Sequence, residues 1–321
     1  MPAHIDARIG KTVAVGCGDR CGSAIDAGPP ALGGSQDVIR RVEVPAVGSR
    51  SGDTVLARPV AVITGASSGI GSVFARKLAA EHDLLLIARR KDRLDSLAEE
   101  LTSQYGSVVS VLRADLANDS DLTLVADRIA AEPDLALLIN NAGFGSRGLF
   151  WESDLAGQEQ MHRLHVMATV RLTYAALRIM VGKNSGGIIN VASVAAFVRR
   201  AGNVSYGATK SWMAIFTEGI YLELKSIRSA VRVQALCPGF TYSGFHDALK
   251  VDRKSMARPS FWLRADDVVE ESLKALPKGK VFVVPGSRYK ALVGALSILP
   301  APLRLAIEAK SGHRRSAEKR L

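Results

Sequence analysis

From residue 58 onward the chain alternates short apolar runs with longer amphipathic segments. Segments of helical length, such as SVFARKLAAEH (72–82) and LTLVADRIAAE (122–132), separate the apolar runs. Buried strands that alternate with helices predict a parallel sheet with helices on both faces, which is a doubly wound α/β fold of the Rossmann type in a single domain. The predicted strands are 60–64, 84–88, 108–112, 135–139, 187–192, 231–236 and 280–284.

The same pattern divides the chain into three parts. Residues 1–55 are rich in Gly, Pro and Ala without sustained periodicity, and we expect a flexible, disordered extension there. Residues 56–286 carry the alternating pattern and form the predicted folded domain. Residues 287–321 are apolar, then broken by prolines, then basic, which predicts an amphipathic helix and a basic tail. This last part could pack on the domain, bind a partner or lie on a membrane surface.

Cysteine usage narrows the class of protein. The chain has three cysteines, Cys17, Cys21 and Cys237, and a small odd number does not suit a disulfide scaffold. Cys17 and Cys21 have no His or Cys clusters beside them, so no metal site is predicted. We therefore expect a reducing, cytoplasmic compartment. No uninterrupted apolar stretch of about 18 residues occurs in the sequence, so no transmembrane helix is predicted.

Ligands of a doubly wound sheet bind beyond the carboxyl ends of its strands. TGASSGIG (64–71) follows the first predicted strand, and such a glycine turn before a helix lets a pyrophosphate approach the backbone and the helix N-terminus. Arg89 and Arg90 follow the second strand, where an NAD site usually offers a carboxylate. Because a guanidinium suits a 2′-phosphate, we favour NADP(H) over NAD(H); the alternative is a solvated helix start.

Polar or glycine-containing stretches follow the next strands as well. Asp115 and Leu116 come after the third strand, where Asp115 could cap a helix or contact an adenine amino group. NNAGFG (140–145) comes after the fourth strand, Ser193 after the fifth, and CPGFTYSGF (237–245) after the sixth. Since parallel strands end at one edge of the sheet, these residues are candidates for a single site.

SYGATK (205–210) places a tyrosine and a lysine four residues apart. On a helix such positions share one face, so the side chains of Tyr206 and Lys210 can meet. A nearby ammonium stabilises a phenolate and lowers the phenol pKa, which makes a proton donor and acceptor usable near neutral pH. The alternative is an ordinary surface turn with two amphipathic side chains.

These stretches together resemble the classical short-chain dehydrogenase/reductase family. TGASSGIG, NNAG, Ser193, YGATK and PG occur in the order and spacing of that family, over roughly residues 58–290. The tail and CPGFTYSGFH are similar, more weakly, to its DltE-like reductases. The resemblance implies that Tyr206 is the general acid/base, that Lys210 holds the nicotinamide ribose and lowers the tyrosine pKa, and that Ser193 holds the substrate oxygen.

The resemblance also implies an NADP(H) site and a homo-oligomer, either a dimer or a tetramer. Besides Tyr206 and Lys210, the implied cofactor-binding residues are Gly65, Ser67, Ser68, Gly69, Ile70 and Gly71 at the pyrophosphate, Arg89 and Arg90 at the 2′-phosphate, Asp115 and Leu116 at the adenine, Asn141, Ala142 and Gly143 near the adenosine ribose, and Pro238, Gly239 and Thr241 beside the nicotinamide.

One position departs from the family pattern. Many members have an asparagine in a helix before the fifth strand, and its main-chain carbonyl holds a water of a proton relay. RLHVMATVRLT (163–173) puts His165 there. The backbone carbonyl survives the replacement, and histidine titrates near neutral pH and could join the relay as a catalytic residue. The alternative is a weakened site.

The substrate side is predicted to be apolar. FTYSGFHDALKVDRKSMARPSFW (240–262) supplies aromatic and apolar residues for a substrate lid, or for ordinary helix packing. We therefore expect an NADP(H)-dependent oxidoreductase acting on a carbonyl or alcohol of an apolar molecule. The alternative is a catalytically weak NADP(H)-binding redox sensor. The net charge of +11 also allows a nucleic-acid partner, but no nucleic-acid motif occurs, so none is expected.

Overall fold

The computed structural model describes residues 39–42, 58–146, 148–243 and 258–317. The strands of its main sheet are β1 (Ile39–Val42), β2 (Val60–Thr64), β3 (Asp83–Ala88), β4 (Val109–Arg113), β5 (Leu135–Asn140), β6 (Gly187–Val191), β7 (Arg232–Leu236) and β10 (Phe282–Val283). Their spatial order is β1-β4-β3-β2-β5-β6-β7-β10. All pairs are parallel except β1 with β4, which is antiparallel. Two short strands, β8 (Thr241–Tyr242) and β9 (Leu263–Arg264), form a separate parallel pair.

Helices cover both faces of the sheet. On one face, α1 (Gly69–Leu78), α2 (Lys91–Tyr105) and α7 (Ala265–Ala275) contribute apolar side chains to a common core that includes Phe74 and Leu94. On the other face, α3 (Asp119–Ala130), α5 (Ala168–Lys183) and α6 (Val204–Ser226) do the same around Val125 and Leu172. Because both faces are covered, the inner strands are apolar along their whole length rather than at alternate residues.

The direction of strand addition reverses at the centre of the sheet. β2 pairs with β3 on one side and with β5 on the other. The loops that follow β2 and β5 therefore diverge and leave a crevice at the carboxyl ends of the strands. This switch point is where ligands of doubly wound sheets bind.

The predicted fold is confirmed, and the seven predicted strands agree with β2 to β7 and β10 within about two residues at each end. Within the extension that we expected to lack structure, residues Ile39–Val42 form β1 on the edge of the sheet. Without β1, β4 would be the edge strand of the sheet, and its outward N–H and C=O groups would have no partner in the sheet. Pairing with β1 provides hydrogen bonds for these groups. All other residues of 1–55 lie outside the described part of the chain.

One long helix contains a change in winding. α4 (Leu155–His162) continues into a π-helical turn, Arg163–Met167, and then into α5. The stretch Leu155–Lys183 is the one candidate membrane span among the described residues, judged by length and apolar character alone. Its residues Leu172 and Met180 are buried in the core on one face of the sheet.

Two helices follow the sheet at the C-terminal end. α8 (Ser287–Ser297) and α9 (Ala301–Ala317) are separated at Pro300, where a single amphipathic helix was predicted. Proline lacks an N–H and disfavours helix in the residue before it, which explains the break. Tyr289 of α8 and Glu308 of α9 are buried, so both helices pack on the domain, one of the alternatives predicted for this part.

Candidate active site

The glycine turn after β2 is built by close backbone contacts. Gly65 has φ +66°, in the left-handed region that favours glycine, and a Cβ on Gly71 would lie 2.4 Å from the Gly65 carbonyl oxygen. Asn141 Nδ2 donates hydrogen bonds to the carbonyl oxygens of Thr64 and Gly65, at 2.9 and 3.2 Å. The turn is thus held both by its own glycines and by the first loop residue after β5.

Thr64 joins the ends of β2 and β5. Its Oγ1 accepts hydrogen bonds from the backbone N–H groups of Asn141 and Ala142 at 2.9 and 3.0 Å. The same hydroxyl donates to the carbonyl oxygen of Ile139 at 3.2 Å. The two loops on either side of the switch point therefore form one rigid unit, which contains the predicted residues Asn141 and Ala142.

A basic cluster lies beside the turn. Arg90 Nε and Nη2 donate to Ser67 Oγ at 3.2 and 2.9 Å, and Nη2 also donates to Ser68 Oγ at 2.8 Å. Burial first, and then the charges of Arg93 and Arg89, lower the pKa of Arg90. Ser68 is the N-cap residue of α1, but its side chain makes no capping hydrogen bond. The N–H groups at the start of α1 are therefore not capped by that hydroxyl, and they lie beside a positively charged surface suited to phosphate.

A cavity of ≈ 260 Å³ adjoins this cluster and is lined in part by Ser67, Arg93 and Ser96. Ile70 packs partly buried against the core at the start of α1. Arg89 is exposed. The structure thus brings the predicted cofactor-binding residues Ser67, Ser68 and Arg90 into direct contact. Arg93, three residues beyond Arg90, adds its charge and was missed by sequence reasoning.

The two residues predicted at the adenine lie at the end of β4. Asp115 Oδ1 accepts from the backbone N–H of Ala117 at 3.1 Å, and the backbone N–H of Asp115 donates to Asp121 Oδ2 at 2.7 Å. Leu116 is buried. The Asp115 carboxylate thus closes a turn before α3, while the N-cap of that helix is Asn118.

Ser193, Tyr206 and Lys210 meet beyond β6, where Ser193 and Lys210 are buried and Tyr206 is half-buried. The hydroxyls of Ser193 and Tyr206 share a hydrogen bond. Lys210 Nζ lies 5.8 Å from the centroid of the Tyr206 ring and donates to the carbonyl oxygen of Val191 at 2.8 Å. Ser193 Oγ also accepts from the backbone N–H of Ala195 at 3.1 Å. Tyr206 and Lys210 lie one helical turn apart in α6, which is the predicted arrangement.

Burial dominates the acid–base character of this group. It raises the pKa of Tyr206, and the hydrogen bond from Ser193 opposes that rise. It lowers the pKa of Lys210 to about 8. It raises the pKa of the neighbouring Cys237 thiol to about 12. A low-dielectric pocket disfavours every charged form, so Lys210 is the group in this site whose charge changes near neutral pH.

Pro238, Gly239 and Thr241 form the loop after β7. Thr241 Oγ1 donates to the Gly239 carbonyl oxygen at 3.0 Å. A Cβ on Gly239 would lie only 2.0 Å from Cζ of Tyr289, so the aromatic ring covers this glycine. The Tyr289 hydroxyl accepts from the Phe240 N–H at 3.0 Å and donates to the Phe261 carbonyl oxygen at 2.8 Å. No local signal in the sequence pairs residues fifty positions apart, so the sequence did not reveal Tyr289.

A second C-terminal contact reaches the loop after β6. Glu308 Oε1 accepts a hydrogen bond from the backbone N–H of Arg199 at 2.9 Å. Arg200, the next residue, is close enough to Tyr289 for its charge to lower the pKa of that phenol, although burial raises the pKa overall. α8 and α9 therefore touch both loops that flank the candidate catalytic group.

Aromatic side chains lie beside the loop after β7. Trp262 packs against Phe240 with ring centroids 5.5 Å apart and against Tyr242 at 5.0 Å. Phe245, Leu249 and Met256, which were also assigned to the predicted lid, lie outside the described residues. The described part of the predicted substrate side is thus an aromatic wall.

His165 lies in the π-helical turn, fully buried, with its ring centroid 5.9 Å from that of Tyr206. Gly143 and Phe144 of the loop after β5 lie directly beside the ring. Among the described residues, no group of three or more His, Cys, Asp or Glu side chains is arranged to hold a metal ion.

Comparisons with known proteins find similar chains. A family model described as short chain dehydrogenase matches residues 59–254. An NADP-dependent 3-hydroxy acid dehydrogenase of Schizosaccharomyces pombe is 32% identical over 233 residues, which are 70% of this chain and 88% of that protein.

Two solved structures extend the comparison. A short-chain dehydrogenase from Sphingobium yanoikuyae in complex with NADPH has 34% sequence identity and a TM-score of 0.68, over 76% of this chain and 97% of that one. A bulky-bulky ketone specific alcohol dehydrogenase from Comamonas testosteroni has 29% identity and a TM-score of 0.64, over 77% of this chain and 96% of that one.

Proposed function

The chain belongs to the short-chain dehydrogenase family, and on that basis we propose that it is an NADP(H)-dependent oxidoreductase that interconverts a carbonyl and an alcohol group of an apolar substrate. The observation that carries this proposal is the meeting of Ser193, Tyr206 and Lys210 beyond β6, with Ser193 and Lys210 buried and Tyr206 half-buried. Intact acid–base groups favour an enzyme over the alternative of a redox sensor without turnover.

The roles of the three residues follow from their chemistry. Ser193 donates a hydrogen bond to the substrate oxygen and orients it towards Tyr206. The Tyr206 hydroxyl gives a proton to that oxygen during reduction and takes it back during oxidation. Lys210, when protonated, stabilises the phenolate and holds the ribose beside the nicotinamide. The bound nicotinamide supplies or accepts the hydride.

The preference for NADP(H) rests on the basic cluster. Ser67, Ser68 and Arg90 fit a 2′-phosphate because they combine two hydroxyls with a guanidinium, and Arg89 and Arg93 add positive charge. The glycine turn and the N-terminus of α1 suit the pyrophosphate. Leu116, Asn141, Ala142, Gly143 and the segment Pro238–Thr241 are proposed to line the rest of the cofactor site, with Asp115 near the adenine.

The preference for an apolar carbonyl or alcohol rests on Phe240, Tyr242 and Trp262. The Comamonas enzyme that resembles this chain is specific for bulky ketones by its description, which agrees with such a wall. A dimer or tetramer through α5 and α6 is supported by exposed Tyr174, Ile215 and Leu222 on these helices. A DltE-like specificity, a cytoplasmic location and membrane contact of the C-terminal part stay predictions from the sequence.

The proposal is tested by binding and turnover. NADPH and NADH binding are measured by fluorescence, and oxidation of each is then followed against a panel of ketones that includes bulky apolar ones. We expect turnover with NADPH that is lost in Tyr206→Phe, while that variant still binds NADPH. Binding of NADPH without turnover of any ketone would favour the redox sensor, and tighter binding of NADH would contradict the assignment of Arg90.

A further inference from the structure

Both ring nitrogens of His165 are hydrogen-bonded inside the protein. The backbone N–H of Phe144 donates to Nε2 at 3.2 Å, and Nδ1 lies 2.9 Å from Thr209 Oγ1. A backbone N–H is always a donor, so Nε2 is the acceptor and carries no hydrogen. In a neutral ring the hydrogen is then on Nδ1, which donates to Thr209.

The next hydrogen bond in the chain requires the same tautomer. Thr209 Oγ1 donates its hydrogen to the backbone carbonyl oxygen of Tyr206 at 3.0 Å. A hydroxyl has only one hydrogen, so towards His165 this oxygen acts as an acceptor. The hydrogen bonds thus run in one direction, from the Phe144 N–H to His165 and from His165 through Thr209 to Tyr206.

The surroundings of the ring oppose a second proton. The side chain is 0% exposed. Burial, followed by the charges of Lys210 and His162, holds the pKa of His165 well below its usual value. A proton on Nε2 would also face the N–H of Phe144 and break that hydrogen bond. Both effects favour the neutral ring throughout the physiological pH range.

The backbone delivers the ring to this position through the π-helical turn. His165 is the central residue of Arg163–Met167, where the helix is wider than in α4 and α5. The ring then fills the space beside Gly143, because a Cβ on that glycine would lie 2.8 Å from Nε2. The loop after β5, the π-helical turn and α6 are packed together by one imidazole.

We infer that His165 is a positioning residue, a permanently neutral imidazole that fixes the loop Gly143–Phe144 relative to Tyr206 and neither gains nor loses a proton during turnover. The inference rests on the proposed function. It replaces the expectation that the ring joins a proton relay, because both nitrogens are already used for structural hydrogen bonds. A group that sets the position of the general acid affects the rate through geometry, and displacement by about 1 Å can cost about 100-fold.

The protonation state is tested first, on the full chain with ¹⁵N-labelled histidine. We expect the His165 ring, assigned by its loss in His165→Gln, to give the signals of the neutral Nδ1–H tautomer without change between pH 5.5 and 8.5. An Nε2–H tautomer, or a ring that gains a proton in this range, would overturn the inference. The measurement needs no turnover, so its outcome is independent of the proposed function.

Variants then test the positioning role. His165→Gln keeps a donor and an acceptor, whereas His165→Phe keeps the bulk and removes both. We expect kcat/KM to fall up to about 100-fold in His165→Phe, with substantial recovery in His165→Gln and no change in exposed His162→Gln, a control from the same helix. The pH profile of His165→Gln should match that of the wild type. If the pH dependence of kcat/KM in His165→Gln lost one of its pKa values, or shifted it, the His165 ring would be shown to gain and lose a proton during turnover.

Discussion

The ring of Tyr289 occupies the space that any side chain at Gly239 would need, with Cζ 2.0 Å from the position of a Cβ. Gly239 cannot gain a side chain unless the Tyr289 ring or the loop after β7 moves. Tyr289 belongs to α8, beyond the 59–254 range of the family match. The proposed nicotinamide side of the site is therefore shaped partly by the C-terminal helices.

We expect Gly239→Ala to lower the free energy of unfolding by about 1–3 kcal/mol, because the methyl group overlaps the Tyr289 ring. Urea unfolding measures the loss. In Tyr289→Ala the space is open, so the effect of adding Gly239→Ala should be smaller by at least about 1 kcal/mol. Gly219→Ala, in open space on α6, is the control and should leave stability equal or higher. If the changes in the free energy of unfolding caused by the two substitutions simply added in the double variant, the contact between Gly239 and Tyr289 would be contradicted.

We expect Arg90→Ala to weaken NADPH binding by roughly 10- to 100-fold, since a charge-assisted hydrogen bond is lost. NADH binding should change little, because NADH has no 2′-phosphate. Fluorescence titration of both cofactors measures the difference, and Arg171→Ala serves as a control, as that arginine bonds Thr123 on the other face of the sheet. Equal weakening of NADH and NADPH would show that Arg90 only supports the fold of the turn.

The rate of reduction should fall at alkaline pH. Burial places the pKa of Lys210 at about 8, so the ammonium is present below that pH and is lost above it. Tyr206 and Cys237 have raised pKa values and keep their protons over the same range. Because kcat/KM reports the free enzyme, it should drop about tenfold per pH unit above about 8. Rates measured between pH 6 and 10 test this, and a flat profile up to pH 10 would show that the charge of Lys210 is not required.

Glu308 should protect the backbone of the loop after β6. In Glu308→Ala the N–H of Arg199 loses its acceptor, and we expect roughly tenfold faster hydrogen exchange at that amide. KM for the ketone should rise, because the loop leads to Tyr206. Glu308→Gln keeps an acceptor oxygen and is the conservative control. Unchanged exchange at Arg199 would mean that α9 is not held at this position in solution.

The sequence predicted the sheet well because the strands of a doubly covered sheet are continuous apolar runs, visible without any partner. It also predicted the glycine turn with Gly65 and Gly71, whose close backbone contacts lie within one turn, and it placed Arg90 at the end of the neighbouring strand. The position of Ser193 after its strand followed from the order of strand ends, but its hydrogen bond with Tyr206 was not predicted. Local sequence therefore carries the parts of the site whose contacts are local or are fixed by the topology of the fold.

The features that the sequence did not predict depend on residues far away in the chain or on burial in the folded protein. Tyr289 and Glu308 reach the site from fifty and more than one hundred residues away, and β1 depends on an unpaired edge of β4. The pattern YGATK predicted a lowered pKa for Tyr206, but burial raises it in the structure. Burial is a property of the folded chain, so a pair of residue types could not reveal its size.

The contacts of Tyr289 and Glu308 have a consequence for the newly made protein. Chains are synthesised from the N-terminus, and early segments begin to fold before later ones have left the ribosome. The strands β2 to β7 and the Ser193, Tyr206 and Lys210 group are made first, and the residues that brace the two neighbouring loops are made after them. A nascent chain can thus pair β2 to β7 while the mouth of the site is still open, and maturation of the site waits until α8 and α9 have been made.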